Sequence, residues 1–298
     1  MKICITGALG HIGSKLIREL KHGQFSEIRI IDNLSTQRYP SLFNLPVKVK
    51  FFEADILTTN LNEIFKGIDV VIHLAAITDA ASSFDNPTLV NKVNYLGTQK
   101  VAKACIKNGC SLFFPSTTSV YGTQKGIVDE QGKLKPQSPY AESKLKAENY
   151  LIKQTKLKFV ICRFGTIFGP SVGMRFHTAV NKFIWQAVID EPLTVWKTAL
   201  NQKRPYLDLN DAINAINFII YRNLFNGEIY NVLTANYTVA DILKVIQEYI
   251  PDFGIDYVKT KIMNQLSYEV DDTKFRKTGF RYHGNLEERI KETVDLLT

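Results

Sequence analysis

The amino-acid sequence predicts an α/β fold, a doubly wound parallel sheet with a smaller C-terminal lobe, and three observations support this prediction. In the first half of the chain, short apolar segments of strand length alternate with helical patterns, which is typical of βαβ units. Several of these segments are apolar throughout, as expected for parallel strands that are buried on both faces. A glycine-rich turn directly follows the first segment and opens a helical pattern. Right-handed crossovers between such strands give a sheet with helices on both sides.

The predicted elements follow one another regularly as far as Gly165. The strand segments are Lys2–Thr6, Glu27–Ile31, Val47–Ala54, Asp69–Leu74, Ser111–Pro115 and Lys158–Arg163. The helical patterns are Ile12–Leu20, Leu61–Phe65, Asn91–Ile106 and Tyr140–Gln154. Beyond Gly165 the signals mix, and the elements predicted there are Thr178–Val188, Leu193–Trp196, Asp211–Ile220, Glu228–Val232 and Val239–Tyr249. We expect residues 1–165 to form one unit to which 204–232 return, and residues 166–298 to form mainly a smaller lobe.

Composition and charge indicate an ordinary globular protein. Of the 298 residues, 45% are hydrophobic and 22% are charged, which is the usual balance for a soluble domain. The net charge of +8 is spread along the chain without a block of like charges, so we expect no nucleic-acid partner. The longest apolar run, 70–81, contains His73 and Asp79. It is too short to span a bilayer, so we expect no membrane partner.

The cysteines and the N-terminus favour a cytoplasmic location. The four cysteines are Cys4, Cys105, Cys110 and Cys162. They show no CxxC spacing and no neighbouring histidine cluster, so we expect reduced, structural thiols and no metal site. The first two residues lead directly into a strand without the pattern of a signal peptide.

The glycine-rich turn predicts a dinucleotide-binding site. It reads Gly7-Ala8-Leu9-Gly10-His11-Ile12-Gly13, and glycines let a backbone turn tightly and approach a pyrophosphate closely. The following helix offers free amide groups and the positive end of its dipole. Asp32 lies 19 residues past Gly13, at the end of the second strand, where a carboxylate can bind both hydroxyls of an adenosine ribose. Because it would repel a 2′-phosphate, we expect NAD rather than NADP.

Two further strand ends are expected near the dinucleotide. Asp55, at the end of the third strand, is a candidate partner of the adenine amino group, with a helix cap as the alternative. Leu74-Ala75-Ala76 ends the fourth strand with small residues that leave room for a cofactor. We interpret His73, just before them, as a structural histidine.

A tyrosine and a lysine one helical turn apart predict a catalytic pair. Tyr140 and Lys144 have i, i+4 spacing on a predicted helix, which places both side chains on one face. A neighbouring ammonium and the positive charge of an oxidised nicotinamide favour the phenolate, so Tyr140 can act as a general base. The hydroxyls of Ser116–Ser119 follow the fifth strand and are expected at the C-terminal edge of the sheet, where ligands bind in doubly wound folds.

Together these motifs resemble the extended short-chain dehydrogenase/reductases, which have a Rossmann fold, and more narrowly their nucleotide-sugar epimerase/dehydratase branch. The resemblance covers nearly the whole chain. It is carried by Gly7, Gly10, Gly13, Ile31–Ser35, His73–Ala76, Asn94, Gly97-Thr98, Ser116–Gly122, Tyr140, Lys144, Arg163–Pro170, Arg204–Asp211 and Asp271–Leu297.

The resemblance implies NAD as the cofactor, a nucleotide-diphosphate sugar as the substrate, and a homodimer that packs through helices 91–106 and 140–154. It implies that Thr117 works with Tyr140 and Lys144. The residues implied to bind the cofactor are Gly7, Gly10, His11, Ile12, Gly13, Asp32, Asn33, Asp55, Ile56, Leu74, Ala75, Ala76, Asn94, Ser116, Tyr140 and Lys144. Those implied to bind the substrate are Thr117, Thr118, Tyr140 and Arg204, the last as a diphosphate anchor, and Arg175 and His177 are further candidates outside the family pattern.

The residues beside Thr117 favour one reaction within the resemblance. The related 4,6-dehydratases carry an Asp-Glu pair where this chain has Thr118-Ser119, so the acid and base for water elimination are missing. The sequence Asp-Asn-Leu-Ser from Asp32 resembles the UDP-galactose 4-epimerases, and we therefore expect epimerisation at sugar carbon 4. The alternatives are epimerisation at another carbon, decarboxylation of a uronic acid sugar, reduction of a keto-sugar and, from another class, a non-catalytic NAD-binding sensor.

Two features depart from the pattern of the relatives. Gly165 stands where epimerases and decarboxylases have an asparagine that helps hold the diphosphate. Arg175 and His177 lie in a stretch, 173–177, that does not match the usual substrate lobe. These two side chains are candidates to contact phosphate or sugar, and the alternative, which the mismatch leaves equally open, is a position on the surface.

Overall fold

The computed structural model describes residues 1–124, 126–258 and 268–298 and has a mixed α/β architecture. Its strands are β1 (Lys2–Thr6), β2 (Glu27–Asp32), β3 (Lys50–Glu53), β4 (Val70–His73), β5 (Ser111–Thr117), β6 (Ile127–Val128), β7 (Phe159–Phe164), β8 (Thr166–Phe168), β9 (Leu193–Trp196), β10 (Arg204–Asp208), β11 (Ile229–Val232), β12 (Ala235–Tyr237), β13 (Ile255–Val258) and β14 (Glu269–Val270). Its helices are α1 (His11–Glu19), α2 (Leu61–Phe65), α3 (Pro87–Asn91), α4 (Gly97–Asn108), α5 (Pro139–Ile152), α6 (Ala179–Val188), α7 (Leu209–Arg222), α8 (Val239–Tyr249), α9 (Thr273–Arg276) and α10 (Leu286–Leu297).

Seven parallel strands from the described residues form the central sheet, in the order β11-β7-β5-β4-β1-β2-β3. The strand order reverses between β1 and β4, which is the position where doubly wound sheets bind their ligands. Because the strands are parallel, the residues that follow β1, β2, β4 and β5 all lie at one edge. The predicted fold class, a doubly wound parallel sheet, is confirmed.

The strands alternate between two apolar layers. Ile3 and Ile5 belong to the cluster that contains the apolar faces of α1 and α7, whereas Cys4 belongs to the cluster that contains those of α4 and α5. Every residue of β4, β5 and β7 is buried, which explains their unbroken apolar runs. The edge strand β3 is shorter than the predicted 47–54, because it pairs with β2 only from Lys50 to Glu53.

The helix predicted over 91–106 is interrupted in the structure. Residues 87–91 form α3, Lys92–Leu96 form a π-helical turn, and α4 begins at Gly97. The turn contains Asn94, whose side chain makes hydrogen bonds outside the helix to Ile77 and Ser143. Insertions of this kind are common where a side chain inside a helix is needed elsewhere.

The second half of the chain contributes to both the central sheet and a separate layer. The apolar face of α7 packs in the core cluster of β1, and β11 extends the central sheet next to β7. Strands β8, β10 and β12 form a small sheet of their own. Another buried cluster joins α6, α8 and α10 over this sheet.

Cys4, Cys105, Cys110 and Cys162 are buried free thiols. Within the described part of the chain, no helix has the length and apolar character needed to cross a membrane. The same residues contain no cluster of three or more histidine, cysteine or carboxylate side chains that could hold a metal ion.

Candidate active site

The turn after β1 is shaped by close backbone contact. Gly7 has a φ of +66°, and a Cβ atom there would lie 2.5 Å from the amide nitrogen of Ala75, so only glycine fits. Gly10 is the N-cap residue of α1 and supplies no capping side chain. The first amide groups of the helix are therefore left available for an anion. This cradle fits the diphosphate of NAD, because free amide groups at a helix N-terminus and a turn without side chains suit a bulky anion.

Asp32 lies beside this turn, at the C-terminal end of β2. Its Oδ2 accepts the N–H of Leu9 at 3.1 Å and its Oδ1 accepts that of Leu34 at 3.0 Å. The carboxylate therefore fixes both the glycine turn and the loop after β2. It lies where the predicted contact with an adenosine ribose would be made.

Asp55 caps the turn that follows β3. Its Oδ1 accepts the N–H of Leu57 at 2.7 Å, and its Oδ2 accepts a hydrogen bond from the Asn33 side chain at 3.1 Å. This geometry favours the capping alternative, and it also brings Asn33 to the same end of the sheet. Ile56 is buried against α4, so its side chain supports the site from below, while the predicted adenine contact of Asp55 stays a prediction.

The backbone after β4 is held in place by Asn94. Its Oδ1 accepts the N–H of Ile77 at 2.8 Å, and its Nδ2 donates to the Ile77 carbonyl at 2.9 Å and to Ser143 Oγ at 3.0 Å. Both amide hydrogens of Asn94 are thus used inside the protein. The residue fixes the segment that contains Ala75 and Ala76, which pass directly beside the glycine turn.

His73 is a structural residue, as interpreted from the sequence. Its Nε2 lies 3.1 Å from Thr98 Oγ1 and its Nδ1 lies 2.7 Å from Thr6 Oγ1. Because the Thr98 hydroxyl donates to the carbonyl of Asn94, it accepts from His73, which fixes the proton on Nε2. Burial lowers the pKa of His73 to about 3, and the positive charge of Lys144 acts in the same direction.

We expect the stability of the protein to fall as the pH drops below about 6.5, because His73 stays neutral when folded. Its pKa is lower in the folded state than in the unfolded state, so between pH 6.5 and about 3 only the unfolded chain binds this proton. One such group contributes about 1.4 kcal/mol of unfolding free energy per pH unit. Urea unfolding at pH 7, 6 and 5 measures the slope, which His73→Gln should reduce. Equal slopes in the two proteins would contradict this assignment.

The three predicted catalytic side chains meet at the C-terminal edge of the sheet. Tyr140 and Thr117 lie close together, since the Thr117 hydroxyl acts to lower the pKa of Tyr140, and Thr117 Oγ1 accepts the N–H of Ser119 at 3.1 Å. Ser138 caps the N-terminus of α5 by accepting the N–H of Ala141, which places Tyr140 in the first turn of the helix. Lys144 Nζ, one turn further on, donates to the carbonyl of Pro115 at 2.8 Å.

Burial dominates the ionisation of the catalytic pair. It raises the pKa of Tyr140 to about 12, although the hydrogen bond from Thr117 acts in the opposite direction. It also lowers the pKa of Lys144 to about 8, against the negative charge of Glu148. The phenolate was expected from the Lys144 ammonium together with an oxidised nicotinamide, and within the protein chain alone the loss of solvent around Tyr140 has the largest effect on its pKa.

Ser116 is directed into the protein. Its hydroxyl donates to Oε1 of Glu148, and Glu148 forms a buried ion pair with Arg163, with Nη2 2.7 Å from Oε2. Arg163 Nη1 donates in turn to the hydroxyl of Tyr121 at 2.9 Å. The Ser116 side chain is thus committed to this network, and its predicted cofactor contact stays a prediction.

Tyr268 also lies at this site. It was not identified from the sequence. Its hydroxyl lies 3.4 Å from Thr118 Oγ1, which itself donates to the carbonyl of Phe164 at 3.3 Å. Pairing of β14 with β6 brings Tyr268 from the C-terminal part of the chain to the catalytic turn. The two phenols are close, because a negative charge on Tyr268 would raise the pKa of Tyr140. No local sequence motif indicates this contact.

Arg204, the predicted diphosphate anchor, begins β10 and lies near the same hydroxyls. Burial raises the pKa of Tyr268, and the positive charge of Arg204 acts in the opposite direction. Packing explains the glycine at position 165, since a Cβ atom there would lie 3.0 Å from the backbone of Pro205 in β10. An asparagine at that position would therefore require β10 to shift.

Residues 169–177, which we call the strap, cross the glycine turn. His11 Nε2 lies 2.9 Å from the carbonyl oxygen of Gly169, Ser171 Oγ donates to the carbonyl of His11 at 3.0 Å, and the N–H of Gly173 donates to Ser14 Oγ at 2.9 Å. Beyond these contacts the strap places Arg175 at a cavity. Arg175 is therefore next to the cofactor-binding turn.

This cavity has a volume of about 530 Å³, and its lining includes Arg38, Arg175 and His177. Arg38 follows β2 and was not identified from the sequence. Its Nη1 lies 4.0 Å from the position that a Cβ atom on Gly10 would occupy. Burial lowers the pKa of His177 below its usual value, and the charge of Arg175 adds to this effect.

Three features define an NAD-binding enzyme of the short-chain dehydrogenase/reductase type. They are the doubly wound sheet, the glycine cradle with Asp32, and the tyrosine and threonine that lie together near a lysine. Residues 3–232 match the family model described as the NAD dependent epimerase/dehydratase family. The chain therefore belongs to the NAD-dependent epimerase/dehydratase family, which confirms the predicted family, enzyme class and NAD cofactor.

Individual relatives agree with this membership. The chain is 33% identical over 263 residues to an uncharacterised UDP-glucose epimerase of Bacillus subtilis, covering 83% of this chain and 80% of the relative. It superposes on the UDP-glucuronic acid 4-epimerase of Bacillus cereus, solved with UDP-glucuronic acid and NAD, with a TM-score of 0.92, 26% identity and coverage of 100% and 99%. The UDP-glucose 4-epimerase of Thermus thermophilus, solved with NAD, gives a TM-score of 0.86 at 26% identity, with coverage of 100% and 99%.

Proposed function

We propose that the protein epimerises a nucleotide-diphosphate sugar at sugar carbon 4 through a transient keto-sugar, with NAD as a retained cofactor. The observation that carries this proposal is the placement of Tyr140 beside Thr117, one helical turn from Lys144 and at the same sheet edge as the glycine cradle. The relatives described above, which are named as epimerases of UDP-glucose and UDP-glucuronic acid, support the choice of reaction.

Each residue of the centre has a distinct role in this proposal. Tyr140 accepts the proton of the sugar hydroxyl and later returns it, and Thr117 orients that hydroxyl. Lys144 holds a positive charge close to Tyr140 and is placed to bind the nicotinamide ribose. NAD supplies hydride transfer, and the positive charge of its oxidised ring favours the tyrosinate. Since the pKa of Tyr140 is raised to about 12, mainly by burial, Tyr140 depends on these nearby charges to act near neutral pH.

The neighbours of Thr117 support epimerisation over water elimination. Thr118 Oγ1 is bonded to the carbonyl of Phe164 and lies beside the hydroxyl of Tyr268. Hydroxyls of this kind are poor proton donors and acceptors at neutral pH compared with carboxyl groups. A dehydratase reaction at this position would lack the strong acid and base that it needs.

Different parts of the nucleotide sugar are bound by different residues of the site. Arg204 binds the diphosphate of the nucleotide sugar, and Thr117 and Thr118 contact the sugar next to Tyr140. The pocket is completed by the smaller lobe, mainly 166–298, while residues 1–165, together with 204–232, hold NAD. Packing of α7 and β11 onto the central sheet supports this division.

We also propose a cytoplasmic homodimer that packs through α4 and α5 and the turns before them. Support comes from the exposed apolar side chains of Leu89, Leu96 and Ile152, which lie on these segments. Such side chains are commonly covered in obligate interfaces.

A panel of nucleotide sugars tests the proposed reaction. The purified protein is incubated with UDP-, GDP-, CDP- and dTDP-sugars, including UDP-glucose and UDP-glucuronic acid, and products are followed by NMR. We expect the carbon-4 epimer of at least one substrate without net consumption of NAD. Release of carbon dioxide would indicate a decarboxylase, and stoichiometric use of NADH would indicate a reductase. No turnover with any sugar despite bound NAD would favour a sensor.

A further inference from the structure

The backbone of the strap lies very close to the backbone of the glycine turn at Gly173. A Cβ atom on Gly173 would lie 2.4 Å from the carbonyl oxygen of Leu9 and 2.7 Å from that of Gly10. Only glycine therefore allows the strap to lie directly on the cofactor-binding turn. Three hydrogen bonds between the strap and the residues His11 and Ser14 fix it there, and Arg175, further along the strap, lines the neighbouring cavity.

Arg38 faces Arg175 across the cavity at the mouth of this cleft. In the described residues, 1–124, 126–258 and 268–298, the Arg38 guanidinium has no hydrogen-bond or ion-pair partner. Arg175 makes one long hydrogen bond, from Nη1 to Thr78 Oγ1 at 3.4 Å. Two guanidinium groups with so few partners, close to one helix N-terminus, indicate a site for an anion.

The nearby carboxylates Asp32 and Asp79 form no ion pair with Arg38 or Arg175, although the charge of Asp32 acts on both arginines and that of Asp79 acts on Arg175. Asp32 accepts backbone N–H groups with both of its oxygens, and Asp79 Oδ1 accepts those of Ala81 and Ser82. Burial lowers the pKa of Arg38, and the positive charge of Arg175 lowers it further. The two arginines therefore repel each other across the cavity, and an anion between them would relieve this repulsion.

We propose that Arg38 and Arg175 clamp the diphosphate of bound NAD from the side opposite the N-terminus of α1. Arg38 lies over Gly10, where the diphosphate fits, and Arg175 reaches the same place from the strap. The clamp accounts for the retention of NAD from one turnover to the next, which an internal redox cycle requires. It concerns cofactor binding, so it does not depend on the sugar or the carbon that the enzyme acts on. It also reassigns Arg175, which the sequence analysis placed at the substrate.

The test measures NAD binding without any sugar substrate. Arg38→Met and Arg175→Met each keep an apolar stem and remove the charge, and Arg222→Met on the exposed surface of α7 is the matched control. NAD that copurifies with each protein is released with acid and quantified, and the affinities for NAD, ADP-ribose and adenosine are measured by calorimetry. We expect each clamp variant to bind NAD and ADP-ribose roughly 10-fold or more weakly, the usual effect of losing a charged hydrogen bond.

The affinity for adenosine distinguishes loss of the clamp from general damage to the binding site. Because it lacks phosphate, its affinity should be the same in the clamp variants, the control and the wild type. Arg38→Lys should recover part of the lost NAD affinity, which also shows that the Arg38 variants fold. Unchanged binding of NAD and ADP-ribose in both clamp variants would overturn the proposal. So would a rise in KM for the nucleotide sugar with unchanged NAD binding, since the arginines would then serve the substrate. An inactive protein with a normal clamp would instead count only against the proposed reaction.

Discussion

Replacing Tyr140 with phenylalanine is expected to lower kcat by roughly 10²–10⁴-fold, the usual contribution of a general base, while NAD remains bound. The substitution removes one oxygen atom and keeps the ring, so the packing of the first turn of α5 is unchanged. What is lost is the proposed acceptor of the sugar hydroxyl proton, together with its contact to Thr117. Turnover of the substrate found in the panel and the NAD content of the purified variant are the two measurements.

Tyr150→Phe is the matched control for this experiment. Tyr150 lies on the same helix, ten residues beyond Tyr140, and its ring packs against the core on the α4 and α5 side of the sheet. The same chemical change should leave kcat within about twofold there, because a half-buried surface substitution rarely has larger effects. If Tyr140→Phe also retained kcat within about tenfold, the phenol would not be the base, and the proposed mechanism would fail.

The fold was predictable because its signals are local. Strands β4 and β5 are buried on both faces, so each one shows a continuous apolar run in the sequence. The glycine turn is also recognisable locally, because Gly7 has a φ of +66°, a backbone conformation that favours glycine. Tyr140 and Lys144 are related by the helical repeat alone. In each case a few consecutive residues determine the structure.

The predictions that differ from the structure involve contacts between distant segments. The helix predicted over 91–106 contains a π-helical turn because Asn94 is needed at Ile77, seventeen residues away. Ser116 was assigned to the cofactor and Thr117 to the sugar; the cofactor contact of Ser116 stays a prediction, and the two side chains point to opposite sides of their strand. The buried Glu148 determines which of the two faces the protein interior, and no local pattern at Ser116 indicates that partner.

Tyr268 and Arg38 show the same limitation for the site. Tyr268 reaches Thr118 because β14 pairs with β6. In this pairing Glu269 lies opposite Ile127, which is 142 residues earlier in the chain. Arg38 is an unremarkable basic residue in the sequence, and its position over Gly10 depends on the path of the loop after β2. Residues whose role comes from such long-range placement can be found only in the folded protein.

The buried ion pair of Glu148 and Arg163 supports the catalytic strand from behind. The side chains of both residues are almost fully buried, at 1% and 2% exposure. Burial alone would lower the pKa of Arg163, but the hydrogen bond and charge of Glu148 outweigh it and raise that pKa. Glu148 also holds Ser116, the residue before Thr117. The pair therefore links the stability of α5 and β7 to the position of the catalytic hydroxyl.

Arg163→Met is expected to reduce the unfolding free energy by about 3–5 kcal/mol, because it leaves the Glu148 carboxylate buried without a cation. Adding Glu148→Gln to this variant should restore most of the loss, since a neutral amide can still accept the hydrogen bond from Ser116 and no buried charge remains. Urea unfolding of the wild type, both single variants and the double variant forms a complete cycle that isolates the pair. A loss below about 1 kcal/mol in Arg163→Met would mean that water or another cation reaches Glu148. In that case the pair could not be what fixes Ser116 beside the catalytic threonine.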